Sequence, residues 1–191
     1  AGPYEKSRIA TGAPSDDRSF SPGEVVFGLL DLKEFRRADN VVTRFLDDPE
    51  DISLVLLTKV LELIDIGDVD QARRVVSEMR SVAEEGEASR ALSGVVSALI
   101  ALEDFDDALD LTDDPVDKAR VLVGKVNMLA NNGEGEMVRQ VMEDVRCLVG
   151  DIDCGEYRVR AKVLGWIIVE LRRVLGSKEV APFVEDALTL A

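Results

Sequence analysis

The six residues Gly67-Asp68-Val69-Asp70-Gln71-Ala72 (GDVDQA) follow one helical segment and open another. Four further stretches do the same: Lys33–Ala38 (KEFRRA), Glu103–Ala108 (EDFDDA), Gly133–Val138 (GEGEMV) and Gly176–Ala181 (GSKEVA). Their last residues, Ala38, Ala72, Ala108, Val138 and Ala181, are spaced by 34, 36, 30 and 43 residues. Seven residues before each stretch stand Val26, Val60, Val96, Val126 and Val169. Four residues before stand Leu29, Leu63, Leu99 and Leu129, with Arg172 in the fifth. A recurrence of this kind is the signature of an internal repeat.

Between the stretches, leucine, valine and alanine return at steps of three and four residues, and proline is almost absent from segment interiors. The fold class is therefore all-α: stacked antiparallel helix pairs, about five helix–turn–helix units, forming a short α-solenoid over residues 21–191. First helices are expected at about 22–31, 49–65, 88–102, 115–131 and 156–175. Second helices are expected at about 34–46, 68–84, 104–112, 134–148 and 178–190. Short linkers make consecutive helices antiparallel neighbours. The brief second helix of the third unit is a place for the curvature to change. Residues 1–20, with two prolines, two glycines and no apolar period, read as a flexible N-terminal arm.

The turn at Gly67–Ala72, and its likeness at Glu103–Ala108, resembles the tetratricopeptide repeat. The resemblance runs over nearly all of residues 21–191. It implies a glycine closing each first helix, an alanine opening a tight pack for the second, and an extended concave surface for other proteins. The chain departs from the family pattern at two places. Valine stands at 26, 60, 96, 126 and 169 where the family has a small residue, which is expected to push paired helices apart or shift their crossing. Leu56, Leu92 and Leu122 stand in place of the family's tryptophan and tyrosine.

Composition narrows the function. The 191 residues carry a net charge of −15, which argues against nucleic acid as a partner, because phosphate neutralisation needs lysine and arginine. There is no histidine, so the commonest general base and metal ligand is missing. No G-x-S-x-G and no glycine-rich phosphate loop is present. Cys147 and Cys154 cannot make a zinc site alone. They read as free, partly buried thiols of a cytoplasmic protein, with a disulfide between them left open. The most apolar run, Val163–Leu171, is interrupted by Glu170 and flanked by arginine, so no membrane span is expected.

Three D-D-x-x-D spellings, at Asp47–Asp51, Asp106–Asp110 and Asp113–Asp117, raise magnesium chemistry. In the two copies that carry proline, each position has a simpler reason. Pro49 and Pro115 suit the first position of a helix, where a missing N–H costs nothing. Asp48 and Asp114 then serve as N-caps, and Asp51 and Asp117 meet the helix dipole. Ser21-Pro22-Gly23-Glu24 spells the same start as a capping box. Asp104 is the expected cap of the middle copy. No metal and no cofactor is expected.

Two charge blocks remain. Glu103–Asp117 holds eight carboxylates without a cation, while Glu156–Lys178 holds Arg158, Arg160, Lys162, Arg172, Arg173 and Lys178. Complementarity between them would drive self-association, so a homodimer is admitted as a partner state. On the first helices, Lys59 and Lys125 occupy equivalent positions and Asn127 follows. In tetratricopeptide proteins such residues clamp a partner's carboxylate. Val95 at the third-unit position leaves that clamp incomplete. Trp166 reads as core or as a dimer contact. Met128, Met137 and Met142 read as fillers between units. Pro182 implies a last helix that starts late or kinks.

The sequence thus points to a non-catalytic scaffold that binds a protein or peptide partner, with Lys59, Lys125, Asn127, Arg158 and Lys162 as candidate contacts. A self-assembling structural subunit and a magnesium-dependent helical enzyme are the alternatives. Magnesium with pyrophosphate should leave the thermal midpoint unchanged; a rise by mass action would restore the enzyme.

Overall fold

Left-handed backbone marks the place where each first helix stops. Lys33, Gly67, Glu103, Gly133 and Gly176 have φ of 59°, 82°, 61°, 78° and 94°. They are the first residues of the five aligned stretches. The computed structural model describes residues 21–86, 88–152 and 156–189. The expected arm, residues 1–20, lies outside the described residues, and so does Cys154 with its open disulfide.

Among the described residues the first helices are α1 (Pro22–Asp31), α3 (Pro49–Asp65), α5 (Ser89–Ala101), α7 (Pro115–Asn131) and α9 (Tyr157–Val174). The second helices are α2 (Phe35–Phe45), α4 (Val69–Glu85), α6 (Phe105–Leu111), α8 (Gly135–Asp151) and α10 (Ser177–Thr189). The fold is all-α, built from packed adjacent helix pairs. Each first helix packs on the next first helix, and α4, α6 and α8 also pack on the first helix that follows them. None of these helices is long and apolar enough to cross a membrane.

Four of the turns share one hydrogen-bond pattern. The residue after the left-handed one donates its N–H five residues back: Glu34 to Leu29, Asp68 to Leu63, Asp104 to Leu99 and Glu134 to Leu129, at 2.8–3.0 Å. The left-handed residue donates three back, as Gly67 does to Ile64 at 2.9 Å. This double closure satisfies carbonyls that a helix end leaves open. The same residues 34, 68, 104 and 134 start the second helices, their carbonyls accepting from Ala38, Ala72, Ala108 and Val138. Those four side chains are buried.

The starts of α1, α3 and α7 follow the cap reading. Asp48 Oδ1 accepts from the Glu50 N–H at 2.8 Å, and Asp114 Oδ1 from Val116 and Asp117 at 2.8 and 3.0 Å. Ser21 and Glu24 form the reciprocal capping box. Asp104 differs. It sits at the N-cap of α6 without a side-chain cap bond, because its carboxylate is engaged by Arg73 of α4 at 3.2 and 3.3 Å. That hydrogen bond, more than the Asp104 charge, raises the Arg73 pKa above its ordinary value.

The core runs along the stack. Val26, Val60, Val96 and Val126 are fully buried, each burial of this size contributing about 1.5–3 kcal/mol. Val169 corrects the alignment, being 59% exposed. Ala181 is exposed as well, and Val180 is buried in its place. In the fifth unit Gly176 arrives one residue late relative to the buried stripe, and the turn lacks the separate N-cap residue of the other four. Counted from Leu175, the fifth unit comes into register with the rest.

Close approach of the first helices comes from glycine at positions other than those valines. A Cβ on Gly94 would lie 2.5 Å from Ser53 Oγ, and one on Gly124 would lie 2.9 Å from Ile100 Cγ2. Met128 packs against two neighbouring clusters and Met142 is buried, as fillers should be, but Met137 is 47% exposed. α10 does not start late at Pro182; it begins at Ser177 and carries the proline inside.

Glu103 is exposed and holds a left-handed φ without being glycine, a conformation that costs roughly 1 kcal/mol. Glu103→Gly should therefore raise the unfolding free energy by about 0.5–1 kcal/mol. Gly67→Ala should lower it by about 1–2 kcal/mol. Urea unfolding followed by circular dichroism measures both, and equal effects in the same direction would contradict the turn assignment.

Candidate functional site

Position along a first helix decides what a side chain faces. The residue eight before the left-handed turn faces the second helix of the preceding unit. Lys59 occupies that place in α3, is 5% exposed, and holds Asp39 Oδ1 of α2 at 2.5 Å. Lys125 occupies it in α7 and holds Asp106 Oδ1 of α6 at 3.0 Å. Val95 fills it in α5 with full burial. The equivalence of Lys59 and Lys125 holds in the structure, and both side chains turn to the second helix of the preceding unit. Each joins its helix to the unit before it.

The polar groove of the first helices lies elsewhere. Ser97 and Ile100 of α5, Arg120, Val123, Gly124 and Asn127 of α7, and Trp166 and Glu170 of α9 line one hollow. Arg120 organises it. Its Nη1 donates to Asp117 Oδ1 at 3.0 Å and to Ser93 Oγ at 3.3 Å, and its Nη2 to Ser97 Oγ at 2.8 Å. Ser93 Oγ donates to Asp117 Oδ1 at 3.0 Å. Asp117, only 14% exposed, sits in the first turn of α7, where the helix dipole also favours its charge. The four side chains form a closed network between α5 and α7, in which each charged hydrogen bond is stronger than a neutral one.

Asn127 is the exception to this satisfaction. Its Oδ1 is sealed from solvent and has no hydrogen-bond partner. Trp166 packs against the C-terminal core and presents part of its ring to the hollow, in line with a core reading.

Two hollows on the second-helix side are chemically different. Between α4 and α6 the rim is held by the Arg73–Asp104 pair, at 3.2 Å. Beside α8 and α10 the rim arginines Arg139 and Arg146 are paired with Glu136 and Glu143 of their own helix. Neither has an unsatisfied side-chain atom among the described residues.

Of the five residues expected from sequence, Asn127 lies in the groove and Lys59 and Lys125 do not. Lys162 is exposed on α9, as is Arg158, whose Nε donates to Tyr157 Oη at 3.0 Å. Sequence reasoning missed Arg120, Ser93 and Ser97. The available signal was polarity: Ser93 and Ser97 are one turn apart in the otherwise apolar stretch Ala91–Ala101, and Arg120 stands thirteen residues before Gly133.

Half of the acidic run is ion-paired, though Asp106 and Asp113 stay exposed. Asp104, Asp106, Asp113 and Asp117 are engaged by Arg73, Lys125, Lys118 and Arg120. Among the described residues no three metal-ligating side chains converge.

No family model matches the chain, and no match was found among curated proteins or solved structures.

A buried amide without a partner costs about 1–3 kcal/mol, whereas an apolar side chain of similar shape does not carry that penalty. Asn127→Leu should therefore leave the fold intact and raise its unfolding free energy by about 1 kcal/mol. A loss of stability on chemical unfolding would show that Asn127 is already satisfied.

Proposed function

We propose that this chain is a non-catalytic protein–protein interaction module of the tetratricopeptide-like kind, acting in the cytoplasm. In this reading a peptide or protein segment binds in the groove of the first helices. The observation that carries it is a hollow spanning α5, α7 and α9 that is lined by a partly exposed arginine, Arg120, and a tryptophan, Trp166. Asn127 Oδ1 is itself sealed from solvent, so the groups a docked segment would meet are those around it. Arg120 is 35% exposed and keeps guanidinium donors beyond its internal bonds. Trp166 supplies a rigid apolar wall of the type enriched at binding hot spots.

Catalysis is disfavoured by the same residues. The Ser93 and Ser97 hydroxyls are bound to Asp117 and Arg120, and the chain has no histidine to serve as their base.

The test is photo-crosslinking in native lysate with a reactive residue at Ser97 in the groove, and at Gln140 on the second-helix side as control. The groove probe should capture a defined protein, and Asn127→Arg should abolish that capture while the control stays blank. Equal capture at the two positions, or none at Ser97, would overturn the proposal.

A further inference from the structure

Every internal first helix of the stack is covered on two flanks, by the first helix before it and the one after it. Among the described residues, α1 and α9 each have one flank uncovered. The uncovered flank of α1 carries Val25, 40% exposed, at the position held by Lys59, Val95 and Lys125 in later units. The uncovered flank of α9 carries Val169, 59% exposed, at the position Ser97 uses to meet Arg120 of the next helix. Within the stack Lys59 and Val95 are buried at the place of Val25, and Ser97 is half-buried at the place of Val169, where Leu61 of α3 is 47% exposed.

Charge selects what fits there. α1 contains Glu24 and Asp31 and no cation, while α9 contains Arg158, Arg160, Lys162, Arg172 and Arg173 against Glu170. The packing of α5 on α7 supplies one register, while in the packing of α3 on α5 the nine-before residue Gly94 lies against Ser53. Ile100, three residues before its turn, lies against Gly124, nine before the next. Counted from Leu175, the three-before position on α9 is Arg172; the nine-before position on α1 is Glu24. Continuing the stack in the α5–α7 register from one molecule into another brings Arg172 and Glu24 together.

We infer that copies of this chain stack head to tail, the α9 flank of one receiving the α1 flank of the next. The contact is heterologous, so it extends into a ring or a filament instead of stopping at a symmetric pair. It uses the helix ends of the stack and leaves the groove around Asn127 open. The net charge of −15 opposes association in most orientations. Tail to head is the orientation in which a basic surface meets an acidic one.

The test is sedimentation velocity of the 191-residue chain. Its mean mass should rise with concentration from the low micromolar into the millimolar range. Val25→Asp and Val169→Asp, both at exposed positions, should each be monomeric with an unchanged circular dichroism spectrum. An equal mixture of the two should form dimers and go no further, because each variant keeps one intact flank. Mass that stays monomeric throughout for the unmodified chain would overturn the inference and assign the flanks to another occupant. Dimers formed by either variant alone would also overturn it, since they require a symmetric contact.

Discussion

The left-handed residue at the end of each first helix is the constraint on which the rest depends. It reverses the chain within three residues and fixes where the second helix begins. That in turn fixes which side chains point inward. In the first four units the closure places Ala38, Ala72, Ala108 and Val138 against the core at the same step of the second helix. Change the phase of the turn by one residue and each helix rotates by about 100° relative to its stripe. The fifth unit shows the consequence. Gly176 comes one residue late, and burial passes from Ala181 to Val180 and away from Val169.

With the phase set, two kinds of contact hold neighbouring units in register. One is close approach at glycine, Gly94 against Ser53 and Gly124 against Ile100. Ser53 Oγ also donates to the Ala91 carbonyl at 3.2 Å, which ties α3 to α5 at the same place. The other is the ion pair from the eight-before position to the preceding second helix. Lys59 is nearly sealed while Asp39 is half exposed, so the lysine bears most of the desolvation. Removing Asp39 would leave an ammonium buried without a partner, the expensive case for such pairs. In α5 the same position is apolar: Val95 fills it and is fully buried.

Most of the fold was legible because the turn pattern survives the loss of glycine. Lys33 and Glu103 adopt the left-handed backbone, yet spacing and the following alanine marked both as turns. The caps at Asp48 and Asp114 were legible for the same reason: they are local, decided by three or four neighbouring residues. The site was less legible. Equivalence along the sequence matched Lys59 to Lys125, but it does not say which neighbour a position faces. That depends on how helices cross. The Arg120 network joins residues from two helices that are adjacent only in the packed stack, and Asn127 could be seen as unpaired only once its surroundings were known. The slip in the fifth unit was hidden because Gly176 looks like the other turn glycines.

Groove and flank are not independent in their effects. The groove runs across successive first helices, α5, α7 and α9, and the proposed stacking adds the α1 of another copy beside α9. A stacked array would therefore present one continuous row of first helices, longer than a single chain can offer. A partner segment long enough to cross the junction would touch two copies at once. Its second contact would then be intramolecular, with an effective concentration set by the short distance between them, so binding and stacking would strengthen one another without a new contact on either surface. By linkage the same coupling runs in reverse: an occupied groove near the junction would favour the stacked state to the degree that stacking favours occupation. The order along the chain makes this possible, since the best-defined part of the groove, at Asn127 and Trp166, lies against the helix whose outer flank is uncovered.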